Sequence, residues 1–139
     1  MEIYDVDGAS DPRLGNLSTR AFIGEADDVL IGGFIAGASA GGQAQGVLRA
    51  LGPSLASRGV NGAVQDPTIE LFDGNGNSVD FNDNWKDSDG RNRIESSGFA
   101  PSDDREAVLF GSFPPGAYTA IVRGKGEAGV GLVEIYNPR

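Results

Sequence analysis

The acids are where chemistry would start. Between Asp66 and Glu106 the chain carries eleven carboxylates against four basic side chains, within a formal net charge of −9. Calcium takes about six to eight oxygen ligands, so it requires carboxylates and carbonyls clustered on loops. The stretch "DGNGNSVDFNDN" (73 to 84) opens in the EF-hand manner with Asp73, Asn75 and Asn77. It then departs from that pattern, with Ser78 where the sharp-turn glycine belongs and Asn84 where the bidentate glutamate belongs. A second calcium arrangement uses Asp80, Asp83, Asp87 and Asp89, with Asp103 or Asp104, gathered by loops at one end of a sandwich. The same acids also suit solvated loops and Asx turns.

Catalysis has little to draw on. The chain has neither histidine nor cysteine, so acid–base work would fall to carboxylates, of which a pair about 5–9 Å apart is the glycosidase arrangement. Asp27-Asp28 and Asp103-Asp104 are sequence neighbours, which on a strand point to opposite faces. The serines of "GPSLASRG" have no elbow motif and no histidine partner. The expectation is that the chain is not an enzyme. Trp85 stands in the polar stretch "NDNWKDSDG", where it is either a stacking platform for a glycan or a plug over the open end of a sandwich. The sequon "NLS" at 16 to 18 falls on an expected strand.

The elements that would position these residues read as β structure. Short apolar or alternating segments are separated by clusters of glycine, asparagine, aspartate and proline, the spacing of an all-β sandwich. "LSTRAFI" (17 to 23) places Leu17, Thr19, Ala21 and Ile23 on one face, and "AYTAIV" places Tyr118, Ala120 and Val122 opposite Thr119 and Ile121. "DVLIGGFIA" (28 to 36), nearly all apolar, predicts a buried strand with a bulge or close backbone approach at Gly32-Gly33. "DGNGN" (73 to 77) predicts a hairpin turn. "PSLASRG" (53 to 59) and "RNRIESSG" (91 to 98) predict one or two helical turns, ended by Gly59 and Gly98. The sum is about eight strands in an antiparallel, jelly-roll-like sandwich, with Trp85, Phe34, Phe72, Phe110, Phe113 and Tyr118 in its core.

Composition narrows the function classes. The 139 residues make one domain that needs no disulfide or metal staple. The excess of acid repels nucleic acid and anionic membranes, and no run reaches the ~20 apolar residues of a spanning helix. Absence of cysteine is compatible with export. "MEIYDVDG" has no signal-peptide pattern, so for an exported parent the signal is expected outside this chain.

In order along the chain, "LGNLSTRAFIG", "DDVLIGGFIAG", "VLRALGPSL", "DPTIELFDGNGN", "NDNW", "GFAPSDDREAVL", "PPGAYTAIVRG" and "GVGLVEIY" resemble an uncharacterised tandem-repeat module of large secreted or surface-attached proteins of environmental bacteria. The resemblance runs from about Leu14 to Tyr136. It implies an extracellular or cell-surface location and a module at 14–139, with residues 1–13 as the closing strand and linker of a preceding repeat. Residues 67–136 are also loosely similar to bacterial pre-peptidase C-terminal domains, which implies an accessory role.

The ends of the chain repeat one tetrapeptide pattern, "EIYD" at Glu2, Ile3, Tyr4 and Asp5 and "EIYN" at Glu134, Ile135, Tyr136 and Asn137. If the closing strand is a sheet edge, it presents unpaired backbone groups that recruit another strand. The expectation is a structural or adhesive module whose partners are copies of itself or adjacent repeats. It would join head to tail by strand exchange through the N-terminal segment. The alternative function is an accessory module that binds extracellular polysaccharide with calcium as cofactor, at the acidic loops and Trp85.

Overall fold

The computed structural model describes residues 16–37 and 42–138. Among them are eight strands: β1 (Asn16–Ile23), β2 (Leu30–Ala36), β3 (Ala44–Leu51), β4 (Pro67–Asp73), β5 (Ser78–Asn82), β6 (Ala107–Phe113), β7 (Gly116–Gly124) and β8 (Gly129–Tyr136). The connections hold two short helices, α1 (Pro53–Ala56) and α2 (Arg91–Ser97), and a single 3-10 turn, Trp85–Asp87. Pro53 opens α1, where its missing N–H has no intrahelical partner to lose. Gly98, at φ +80°, closes α2 in the left-handed conformation. At the β4–β5 hairpin, Gly76 takes φ +81° and the Asp73 carboxylate accepts the N–H groups of Asn75 and Asn77, both at 2.9 Å.

The strands form two four-stranded sheets of order β1-β8-β3-β6 and β2-β7-β4-β5, in which every pairing is antiparallel. This interleaved order is that of a jelly roll. The pleat of β7 buries Ala120 and Val122 and turns Tyr118 to the same side, as alternation requires. From the facing sheets Ile23, Leu48, Leu109 and Val133 meet Leu30, Ile69, Leu71 and Val122. Each such side chain contributes about 1.5–3 kcal/mol on full burial. Phe34, Phe113 and Tyr118 close one part of this core with ring centroids 5.3–5.7 Å apart.

Each sheet has a second, outward face, and the two are treated differently. On the β1-β8-β3-β6 sheet the outward residues of β3, β6 and β8 are covered by the connections, while on the edge strand β1 Phe22 stays 60% exposed. Val47 and Val108 lie under Trp85 and Ile94, and Leu51 lies under Leu55. Across the β2-β7-β4-β5 sheet one outward row runs Phe81, Glu70, Ile121, Ile31 and the next runs Ser78, Phe72, Thr119, Gly33. Ile31, Ile35, Val79 and Phe81 there are 55%, 76%, 48% and 56% exposed.

Two expectations are corrected. "LIGGFIA" is, among the described residues, an edge strand with exposed isoleucines, because β7 pairs with only one of its sides and no described residue covers its outer face. Its register with β7 runs unbroken from Leu30↔Val122 to Ala36↔Gly116, without a bulge at Gly32-Gly33. The close approach is that of Gly32 alone, where a Cβ would sit 3.3–3.4 Å from Val133 and Ile135. Phe72, in turn, shares the outward row with Thr119 instead of entering the core.

Candidate functional site

Strand β8 carries the second copy of the repeated tetrapeptide, and the fold shows what each of its residues does there. Glu134 points outward into Arg49 of β3, whose Nε lies 2.8 Å from Oε2 and whose Nη2 contacts the same oxygen. The guanidinium also donates to the Phe99 carbonyl at 3.2 Å and to the Tyr136 hydroxyl at 3.3 Å. Tyr136 packs on Phe99 with ring centroids 4.8 Å apart. Burial, then the charge of Glu134, raises the Tyr136 hydroxyl pKa above the usual tyrosine value. Ile135 faces the inner core. The strand pairs with β1 on one side and β3 on the other, so Glu134, Ile135 and Tyr136 stand in the middle of a sheet and not at an edge. The other copy, Glu2, Ile3, Tyr4 and Asp5, lies outside the described residues.

The acids do not gather into one ring of ligands. Asp80 is exposed on β5 and accepts the Phe81 N–H at 2.8 Å. Asp87 accepts from the Asn84 amide at 3.4 Å, and Asp89 is exposed in the link to α2. Asp83 is paired 2.5 Å from Lys125 Nζ, an interaction that holds the ammonium pKa above the usual lysine value. Asp66 and Asp83 each have one carboxyl oxygen buried without a protein partner. Burial, followed by the charge of Asp83, raises the Asp66 pKa. Asp103 is clamped by Arg105 at 2.8–2.9 Å and its pKa is lowered, mainly by that hydrogen bond. Asp104 pairs with Lys86 at 2.7 Å. Among the described residues no three histidine, cysteine, aspartate or glutamate side chains stand where they could share a metal ion. The opening of "DGNGN" is a self-contained turn, with the Asp73 pKa lowered by hydrogen bonds from Asn77.

Trp85 is 5% exposed. Its ring packs on Val47, Ile94 and Val108, its indole N–H donates to the Asp103 carbonyl at 3.2 Å, and Lys86 Nζ sits 5.5 Å from the ring centroid. It plugs the outward face of the β1-β8-β3-β6 sheet, not the end of the sandwich, and offers no exposed platform for a sugar. An open groove of about 520 Å³ lies nearby between α2 and the end of β8. Its lining includes Gln45, Phe99 and Asn137, and Arg93 lies 4.0 Å over Phe110.

The surface the sequence reading missed is the outer face of the β2-β7-β4-β5 sheet together with the edge of β2, both open among the described residues. The signal was present in "LIGGFIA", which has no polar alternation. An unbroken apolar run reads equally as a strand buried on both faces and as one whose outer face awaits a partner. Glu106, fully buried, was also missed. Its Oε1 accepts the N–H groups of Gly52 and Ser54 at 2.9 Å and the Ser54 hydroxyl at 2.6 Å, tying the start of α1 to the start of β6. No helix among the described residues is long and apolar enough to cross a membrane. No protein-family model and no curated protein matches the sequence.

Proposed function

We propose that this chain is a non-catalytic structural module, working outside the cell, that associates with copies of itself through its N-terminal segment. The observation that carries the reading is the unequal treatment of the two outer faces. Where α1, the Trp85 turn and α2 roof one sheet and leave only its edge residue Phe22 exposed among large hydrophobics, the other leaves Ile31, Ile35, Val79 and Phe81 about half to three-quarters exposed among the described residues. Exposed apolar patches of this kind, on an otherwise polar and strongly acidic molecule, mark association surfaces. The tetrapeptide Glu2 to Asp5 precedes the sandwich in sequence and repeats the pattern that β8 uses inside it. Calcium and polysaccharide are not required by this reading.

The test is the solution mass by size-exclusion chromatography with light scattering, in EDTA, for the full chain and for a variant lacking residues 1–7. The expected result is a full chain well above the 14.4 kDa of one copy, with ordered fibres by electron microscopy, and a truncated chain that stays monomeric. A monomeric full chain, or assembly unchanged by the truncation, would refute the reading.

A further inference from the structure

The strand donated by one copy needs a receiving site, and two candidates are closed. The slot matching the duplicated pattern is occupied by the chain's own β8, held by Arg49 and paired on both sides. The free side of β6 is blocked as well. Its Val108 N–H is taken by Asn82 Oδ1 at 3.0 Å, and the Glu106 carbonyl accepts the Trp85 N–H at 2.9 Å.

Three edges remain. Strand β1 carries the exposed charge Arg20, and β5 is five residues long, with a register shift against β4 and the charge of Asp80. Charges, short length and irregular register are the devices by which edges resist pairing. Strand β2 has none of them. It runs for seven residues, "LIGGFIA", without charge, proline or bulge. Between its exposed Ile31 and Ile35, Gly33 leaves a gap, where a Cβ would meet only the Tyr118 carbonyl at 3.7 Å.

Resting on the self-association reading, we infer that the free edge of β2 receives Glu2–Val6 of a second copy as a fifth strand of the β2-β7-β4-β5 sheet. In an extended segment Tyr4 and Val6 share one face, and Ile3 and Asp5 the other. Tyr4 lies outward over Gly33, between Ile31 and Ile35, the arrangement in which a cross-strand aromatic covers an edge glycine. Backbone pairing supplies affinity and the Ile31–Gly33–Ile35 gap supplies register. Reach permits a second copy. Fifteen residues precede Asn16, and extended they span about 50 Å. An eight-residue strand such as β1 is only about 27 Å long.

The experiment uses the full chain carrying Ile31→Lys and Ile35→Lys, both at exposed positions, alongside Phe81→Lys and Arg93→Glu. Circular dichroism and thermal unfolding confirm that each variant folds. The expected result is that the double lysine variant is monomeric by light scattering, while Phe81→Lys and Arg93→Glu assemble like the parent. A fluorescent peptide "EIYDVDG" should bind the chain lacking residues 1–7 saturably, and at least tenfold more weakly when Ile31 and Ile35 are lysines. If truncation abolishes assembly but the double lysine variant still assembles, the β2 site is overturned while strand donation stands. Loss of assembly in Phe81→Lys or Arg93→Glu alone would move the joint to β5 or to the groove beside α2, and would also overturn it. A full chain that never assembles removes both ideas together.

Discussion

Glu106 is the position at which one side chain decides most about whether the fold holds. It is fully buried at the start of β6, and its Oε1 is the acceptor for two backbone N–H groups and one hydroxyl at the entry to α1. Its Oε2 is buried with no protein partner. In Glu106→Ala the Gly52 and Ser54 N–H groups lose their acceptor, at about 1–3 kcal/mol for each buried group left unmade. A cavity adds to that, so the expected loss is about 3–5 kcal/mol. Glu106→Gln keeps an acceptor at Oε1 but places an amide N–H2 where Oε2 found no partner. Its expected loss is smaller, about 1–2 kcal/mol. Urea unfolding followed through Trp85, the single tryptophan, measures both, and the tryptophan is a fitting probe because its backbone N–H donates to the Glu106 carbonyl at 2.9 Å. An alanine variant within about 1 kcal/mol of the parent, or a glutamine variant as damaged as alanine, would refute the reasoning.

Arg49→Ala leaves Glu134 buried and unpaired and should cost about 3–5 kcal/mol by chemical denaturation, most of it recovered when Glu134→Leu accompanies Arg49→Met. Trp85→Ala opens a cavity over Val47, Ile94 and Val108, with an expected loss of about 3–5 kcal/mol; a loss under 1 kcal/mol would deny its structural role. The folded-state pKa of Asp66 is raised by burial, by Asp83 and Glu127, against Lys125 and Arg105. Its contribution is therefore fully present below the ordinary aspartate value of 3.8 and is lost as pH rises through the folded value. Asp66→Asn should accordingly gain on the parent as pH climbs from about 4 to 7, and stability curves that stay parallel over that range would contradict the assignment.

The sequence by itself determined the elements. Alternation in "AYTAIV" set which side of β7 is inward, Pro53 and Gly98 marked a helix start and a helix end, and "DGNGN" made its hairpin. These outcomes depend on local conformational preference and on a two-residue period, both carried by the residues themselves. The Asp73 turn was legible as a turn. What only the tertiary structure decided was neighbourhood. The "EIYN" strand was expected at an edge, yet lies between β1 and β3, because strand order depends on which long-range pairs bury the most surface and leaves no mark on the tetrapeptide. Trp85 in its polar stretch gave no hint that it would roof the outward face of one sheet, over Val108, 23 residues after it, and Val47, 38 residues before it. Asp83 found Lys125, and Arg49 found Glu134, across separations that no local pattern encodes. The apolar run "LIGGFIA" was read correctly as a strand and wrongly as a buried one. Apolarity fixes that a surface is better out of water, and only the packing of the whole chain shows whether this copy of the molecule has anything left to cover it.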